Sequence, residues 1–387
     1  MTNIFDYLKW RGDISFNAYP LNEIDSLIFS ELSYIPFDNI VSSDIVGDGI
    51  SLKEVYEKSF SDPQKPIKIG VLLPEEKILE LIRLAAFSDR FKDVKLRGYV
   101  NDVDLKREKQ FSAICYDLPD ETTYVAFRGT DDTLIGWKEN FNMSLFTPVP
   151  AQKEAIDYLN DVGKSKDRGL YVGGHSKGGN LAIYSSFMAE NDVQQKIITI
   201  HNFDGPGFRF GFLKNARKNR FLVEKVTNFL PESAVIGAIF DTIGKRVYLK
   251  SRVKNGFRQH DAFTWKIAYT KIERAPSLAK SSIQFHNSLE EWVADMTEDE
   301  KRDFVEALYK VCTANDSETL SDIISNKFKF VNALFKVDKK SKKTMWKSFT
   351  DVFKRYLGIE TNKSTKLTQH DKEILQKASL IDKNKKK

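Results

Sequence analysis

Apolar residues recur at helical spacing near the start of the chain: Ile24, Leu27, Ile28 and Leu32 share one face within residues 22–35, behind a capping Asn22. A second such face, Ile78, Leu79, Leu81, Ile82 and Ala85, follows Pro74-Glu75-Glu76, where proline and acids suit a helix start. At residue 95 the period changes. Lys95–Val100, Phe111–Tyr116 and Thr123–Phe127 are short β-prone runs, the last two joined by the turn-forming Asp117-Leu118-Pro119-Asp120-Glu121, and they predict a strand meander. Helix patterns at 151–163 and from Lys177 to about Glu190 then alternate with strand runs at Leu170–Val172, Ile197–Phe203, Lys225–Phe229 and Arg246–Leu249. Alternation of this kind predicts an α/β fold with a mostly parallel central sheet flanked by helices.

Beyond residue 270 the strand signals stop, and residues 288–312, 317–335 and 345–357 read as helices, a helical C-terminal extension. The lysine runs Lys339–Lys343 and Lys385–Lys387 read as solvated linker and chain end. The pattern divides the chain into an N-terminal helical scaffold (1–94), a core (95–270), a helical extension (271–335) and a basic tail with a short amphipathic helix (336–387).

Composition narrows the class. With 387 residues, 41% hydrophobic and 29% charged, the chain has the make-up of a globular protein with a sizeable core. Cys115 and Cys312 stand far apart in no ligand-spaced cluster, so neither a disulfide framework nor a zinc site is expected. Met1 to Trp10 carries Asp6 and Lys9 with no apolar run behind a basic head, and no stretch reaches the length of a spanning helix; a cytoplasmic location is expected. The net charge of +6 belongs to the tail: residues 301–387 hold 21 Lys+Arg against 11 Asp+Glu, a net of +10, leaving −4 for the rest. That distribution argues against nucleic acid as a partner, which would require a basic folded surface. Within the tail, Trp346, Phe349, Phe353 and Tyr356 recur at helical spacing between lysines and an arginine. Such a helix either makes a peripheral contact with an anionic membrane or packs on the body of the protein.

The chemistry centres on Gly174-His175-Ser176-Lys177-Gly178. A G-x-S-x-G match gains meaning from its setting, a strand, a tight turn with small neighbours, then a helix, and Tyr171-Val172-Gly173-Gly174 followed by Gly178-Gly179-Asn180-Leu181-Ala182 supplies it. The phosphate-loop alternatives are excluded by the lack of their glycine and lysine spacings. A serine nucleophile needs a base, and the chain offers only His175, His201, His260, His286 and His370. His175 lies inside the elbow and would point away from Ser176, His201 is mid-strand, His286 is in the helical region and His370 in the tail. That leaves His260, in the loop after the last strand, where this fold places its base. Two acids lie between serine and histidine in chain order. Asp204 ends the strand after the elbow helix, in the rigid Asp204-Gly205-Pro206-Gly207, while Glu232 ends the next strand, as strand count prefers. The residues alone leave both open. Oxyanion donors are expected from the backbone N–H of Lys177 and from Thr130, in the loop Arg128-Gly129-Thr130-Asp131 that leaves an early strand.

Ala126-Phe127-Arg128-Gly129-Thr130 paired with a later Gly-His-Ser-x-Gly-Gly resembles the fungal-type (class 3) lipases. The fuller combination, Gly174 to Ala182, Asp204-Gly205-Pro206-Gly207-Phe208 and Gln259-His260-Asp261 with Trp265, resembles the Mbeg-like bacterial family of lipase-like α/β-hydrolases over residues 1 to about 310. The resemblance implies an α/β-hydrolase fold, with Ser176 as nucleophile, His260 as base, Thr130 in the oxyanion loop and Asp204 as the better acid. Lys177 departs from ordinary lipases, which carry leucine there; a cation beside the oxyanion would stabilise charge or read a polar substrate. The expected activity is serine hydrolysis of a small-molecule or lipid carboxylic ester. It requires no metal or organic cofactor, since a triad and two donors supply every step. The alternative is a non-catalytic interaction module of the same fold with a basic membrane-associating tail.

Overall fold

The computed structural model describes residues 2–61, 75–104, 106–131, 134–254, 256–313 and 338–356. Eight strands lie side by side in chain order: β1 (Ile50–Ser51), β2 (Lys95–Asp104), β3 (Lys109–Asp117), β4 (Thr122–Phe127), β5 (Gly169–His175), β6 (Ile197–Phe203), β7 (Val226–Pro231) and β8 (Lys245–Leu249). The first four pair antiparallel, β2 to β4 as the expected meander and β1 as an edge strand that the sequence reading did not include, and β4 through β8 pair parallel, with helices in the connections. This is an α/β-hydrolase fold, a mostly parallel sheet with helices on both faces.

The two faces follow from the period of two along each strand. Tyr124 and Ala126 of β4, with Ile114 and Tyr116 of β3, pack on one side; Val125 and Phe127, with Ala113 and Cys115, pack on the other. The first side is covered by helices Ile4–Arg11, Glu23–Leu32, Leu52–Ser59 and Glu75–Ala86. The second is covered by Pro150–Ser165, Lys177–Met188, Phe210–Ala216 and Arg220–Val223. Asn22 caps its helix through the N–H groups of Ile24 and Asp25, as its sequence position predicts. The fully buried Asp25 also takes Arg90 at 2.6 Å and the Tyr7 hydroxyl at 2.8 Å, tying the N-terminal helices together.

The extension departs from the sequence expectation in two places. Residues 288–312 are not one helix but parts of two, Lys280–Ala294 and Glu298–Thr313. Thr297 and Glu300 form a reciprocal cap, side chain to backbone N–H in both directions, which starts a new helix where periodicity alone reads through. The Lys339–Lys343 run is not a linker but the first turn of helix Lys339–Tyr356. Asp338 caps it through the Ser341 amide and hydroxyl, and acids on the body neutralise it: Lys340 meets Asp303 at 2.9 Å and Lys347 meets Glu300 at 3.1 Å. Arg355 bonds Asp295, and Val352 packs against the cluster of Phe240, Trp292 and Phe304. The basic-aromatic helix is therefore docked on the body. The expected helix at 317–335, His370 and Lys385–Lys387 lie outside the described residues. Among the described residues no helix is long and apolar enough to cross a membrane.

Candidate active site

β5 ends at His175 and the next helix begins at Lys177, so the chain reverses within the single residue Ser176. Ser176 takes φ 57° and ψ −131°, in the positive-φ region that non-glycine residues rarely occupy. Strain of this kind persists only where the surroundings over-determine it. Here the Ser176 amide is held by the Phe203 carbonyl of β6 at 2.9 Å, and the helix leaves so close to β4 that a Cβ at Gly178 would lie 1.9 Å from the Phe127 carbonyl oxygen. The glycine after the serine is required by that approach. The hydroxyl is thereby lifted to the C-terminal edge of the sheet, with the residue still only 7% exposed.

β6 delivers Asp204 to the neighbouring position on the same edge. Its amide is held by the Phe229 carbonyl of β7 at 2.8 Å, and its own φ is positive at 51°. The Asp204 Oδ2 lies 2.7 Å from Nδ1 of His260, and Oδ1 accepts from the Gly237 amide at 3.1 Å. Burial raises the Asp204 carboxyl above the ordinary aspartate range, against which the two donors favour its ionised form. Burial also lowers the His260 imidazole, to about 4, so the ring is neutral at physiological pH. A neutral ring with Nδ1–H on the carboxylate leaves Nε2 as a free acceptor.

His260 closes a short 3-10 turn, Phe257–His260, clamped by its neighbours. Gln259 accepts from the Ser233 amide at 2.9 Å and donates to the Val253 carbonyl at 2.8 Å, while the Trp265 indole donates to the Gln259 carbonyl at 2.7 Å. Gln259 and Trp265 thus hold the loop that carries the histidine. Glu232 follows β7 with its amide on the Leu249 carbonyl, and His260 turns to Asp204 rather than to it. Two of the other histidines lie away from this contact. His201 is half-buried in β6, and His286 bonds the Ala238 carbonyl from helix Lys280–Ala294.

On the opposite flank, the loop after β4 carries Arg128, Gly129 and Thr130, all buried. It runs beside the elbow, since a Cβ at Gly129 would lie 2.8 Å from the His175 carbonyl oxygen. The Thr130 hydroxyl oxygen accepts from the Asn140 amide, so its own proton is left for another acceptor. A cavity of about 840 Å³ lined by Tyr184, Phe187, Phe212, Phe240 and Val293 touches neither Ser176 nor His260, and its size is no guide to the chemistry. Among the described residues no group of three His, Cys, Asp or Glu side chains is arranged to hold a metal ion.

Residues 85–310, which contain every one of these groups, match the family model described as Mbeg1-like. The chain belongs to the Mbeg1-like family. Among solved structures, this Mbeg1-like protein is similar to the native Rhizomucor miehei lipase propeptide complex (14% identity, TM-score 0.29, 40% of this chain and 57% of that one). It is also similar to M37 lipase (16%, TM-score 0.34, 56% and 69%). A third is a mutant form of MDLA from Penicillium cyclopium (11%, TM-score 0.36, 65% and 84%). The chain spans little more than half of the first of these. No curated protein matches the sequence. At such identities the likeness concerns the fold alone, and the strand order and elbow carry the assignment by themselves.

Two features of the Mbeg1-like site were not legible in sequence. The Lys177 side chain does not stand as a free cation at the elbow. It is fully buried, with Nζ 2.8 Å from Glu139 Oε2 and 2.8 Å from Gln110 Oε1. Glu139 in turn accepts the amides of Gln110 and Ala151, each at 2.9 Å. Only the Lys177 backbone remains at the elbow. His175, expected to point away from Ser176, sets its ring against that of His260, with centroids 4.5 Å apart. No spacing rule announces either contact, because each joins residues dozens of positions apart.

Proposed function

We propose that the protein is a serine hydrolase that cleaves carboxylic esters through an acyl-enzyme on Ser176. The observation that carries this reading is the 2.7 Å contact of His260 Nδ1 with Asp204, on the sheet edge where the strained elbow presents Ser176. In the first half-reaction Ser176 Oγ attacks the ester carbonyl carbon while His260 Nε2 takes its proton, and Asp204 stabilises the imidazolium that forms. The oxyanion is met by the backbone N–H of Lys177 and by Thr130. Collapse breaks the acyl C–O bond, and the departing alkoxide leaves as alcohol with the proton from Nε2. Water, deprotonated by the same nitrogen, then attacks the acyl carbon, and the acid departs as Ser176 recovers its proton. Every step draws on groups of this chain. With Lys177 committed to Glu139, nothing in this reading selects a charged acyl group, which favours neutral small-molecule or lipid esters.

A fluorophosphonate probe is expected to label the wild-type protein and not Ser176→Ala, with mass spectrometry placing the adduct on the Ser176 peptide. Failure to label folded wild type would overturn the reading. The neutral base gives a second expectation. Because burial penalises the imidazolium, acidification should remove activity later than for an ordinary histidine. The acid limb of kcat/KM is expected below the ordinary imidazole value, because burial lowers His260. An acid limb at the ordinary imidazole value of 6.5 would contradict it.

A further inference from the structure

His175 Nε2 lies 2.9 Å from the backbone carbonyl oxygen of His260. A carbonyl only accepts, so Nε2 carries the ring proton, and burial holds the ring neutral. Nδ1 of the same ring is then an acceptor. The Tyr34 hydroxyl stands 3.0 Å from Nδ1 and must be the donor there, since burial keeps the phenol protonated. Tyr34 also packs against the loop that carries Thr130, its oxygen close to the backbone of Gly129. The approach is so close that a Cβ at Gly129 would lie 1.9 Å from the Tyr34 oxygen. Glu31 Oε1 also faces Nδ1 but at 3.6 Å, outside hydrogen-bond reach, so the nitrogen belongs to Tyr34.

Contacts therefore run in series: Gly129 packs on Tyr34, Tyr34 O–H donates to His175, and His175 N–H donates to the His260 carbonyl. The chain begins in the loop that holds Thr130, passes through the residue before Ser176, and ends on the residue proposed as base. Tyr34 itself follows the helix Glu23–Leu32, far from the other three in sequence. We propose that Tyr34 and His175 are positioning residues for the hydrolysis, fixing the oxyanion loop and the His260 loop at one separation across Ser176. The proposal rests on the serine hydrolase reading. Neither side chain touches the reacting atoms in it; each acts by where it holds His260 and Thr130. Displacements well under the length of a bond are costly at such positions, because proton transfer and oxyanion contacts are both steep in distance.

The test uses the full chain in four forms: wild type, Tyr34→Phe, His175→Gln and His175→Leu. Each is followed by hydrolysis of p-nitrophenyl butyrate, by the rate of fluorophosphonate labelling, and by thermal unfolding. If wild type does not label, the serine hydrolase reading fails, and with it the basis of this one. With wild type active, Tyr34→Phe is expected to lower kcat about 10-fold at nearly unchanged KM, the size seen when outer-shell hydrogen bonds are removed. His175→Leu is expected to lower it about 100-fold, and His175→Gln, whose amide N–H still reaches the His260 carbonyl, to regain about 10-fold of that loss. Should His175→Leu not fold, Tyr34→Phe and His175→Gln decide. A folded Tyr34→Phe with wild-type kcat, an effect on KM alone, or a His175→Gln no better than His175→Leu would each overturn the proposal.

Discussion

Asp204→Asn is expected to lower kcat for ester hydrolysis by about 10,000-fold while the protein stays folded. The backbone tolerates the change, since asparagine accepts the positive φ that Asp204 adopts. The chemistry does not. The Gly237 amide donates to Oδ1, so the amide oxygen of the new side chain is claimed there and its NH2 faces His260. An NH2 group donates to Nδ1 and drives the ring proton to Nε2, the nitrogen that must be free to take the serine proton. Glu232→Gln is the matched control and is expected to stay within about threefold of wild type, the range of substitutions that break no buried contact. Steady-state kinetics on the two variants decide between the acids, and a large loss in Glu232→Gln with none in Asp204→Asn would reverse the assignment.

Lys177→Leu, which places an ordinary lipase residue after the nucleophile, is expected to destabilise the protein by about 3–5 kcal/mol rather than to improve it. The lysine is paired with Glu139 at full burial, and taking away one partner leaves a carboxylate in the core without its counter-charge. Urea unfolding measures the loss. Adding Glu139→Gln is expected to return a large part of it, because the stranded charge goes while the amide oxygen still accepts one of the two backbone N–H groups. Equal stability of wild type and Lys177→Leu would show that the pair contributes nothing, and a further loss in the double variant would show that Glu139 is held by its amide donors alone.

The seven longer strands were legible because each carries its own signal, whereas the two-residue strands Ile50–Ser51, Ile267–Ala268 and Lys271–Ile272 are too short to carry one. β6 runs from Ile197 to Phe203 as its apolar run predicts, and β5 extends the predicted Leu170–Val172 by Gly169 before it and by the glycines and His175 that follow. Errors came where a short polar contact outweighs periodicity. The Thr297–Glu300 cap split one expected helix into two, and Asp338 turned a lysine run into a first helical turn. The helices Ile4–Arg11, Leu52–Ser59 and Leu134–Leu145 were not anticipated at all. The acid is instructive in another way. Residue patterning left Asp204 and Glu232 level, resemblance inclined toward Asp204, and a single contact with His260 separates them in the structure.

The sequence by itself determined the elbow, the histidine and the sheet that presents them, since these depend on local spacing, on turn residues and on there being five histidines to choose among. Only the tertiary structure decided which carboxylate meets His260, that Lys177 turns inward to Glu139, and that Tyr34 and His175 join the two loops of the site. Those are contacts between segments 38 to 141 positions apart. Their partners are chosen by how the helices and loops pack on the sheet, and no local pattern in the chain encodes that choice.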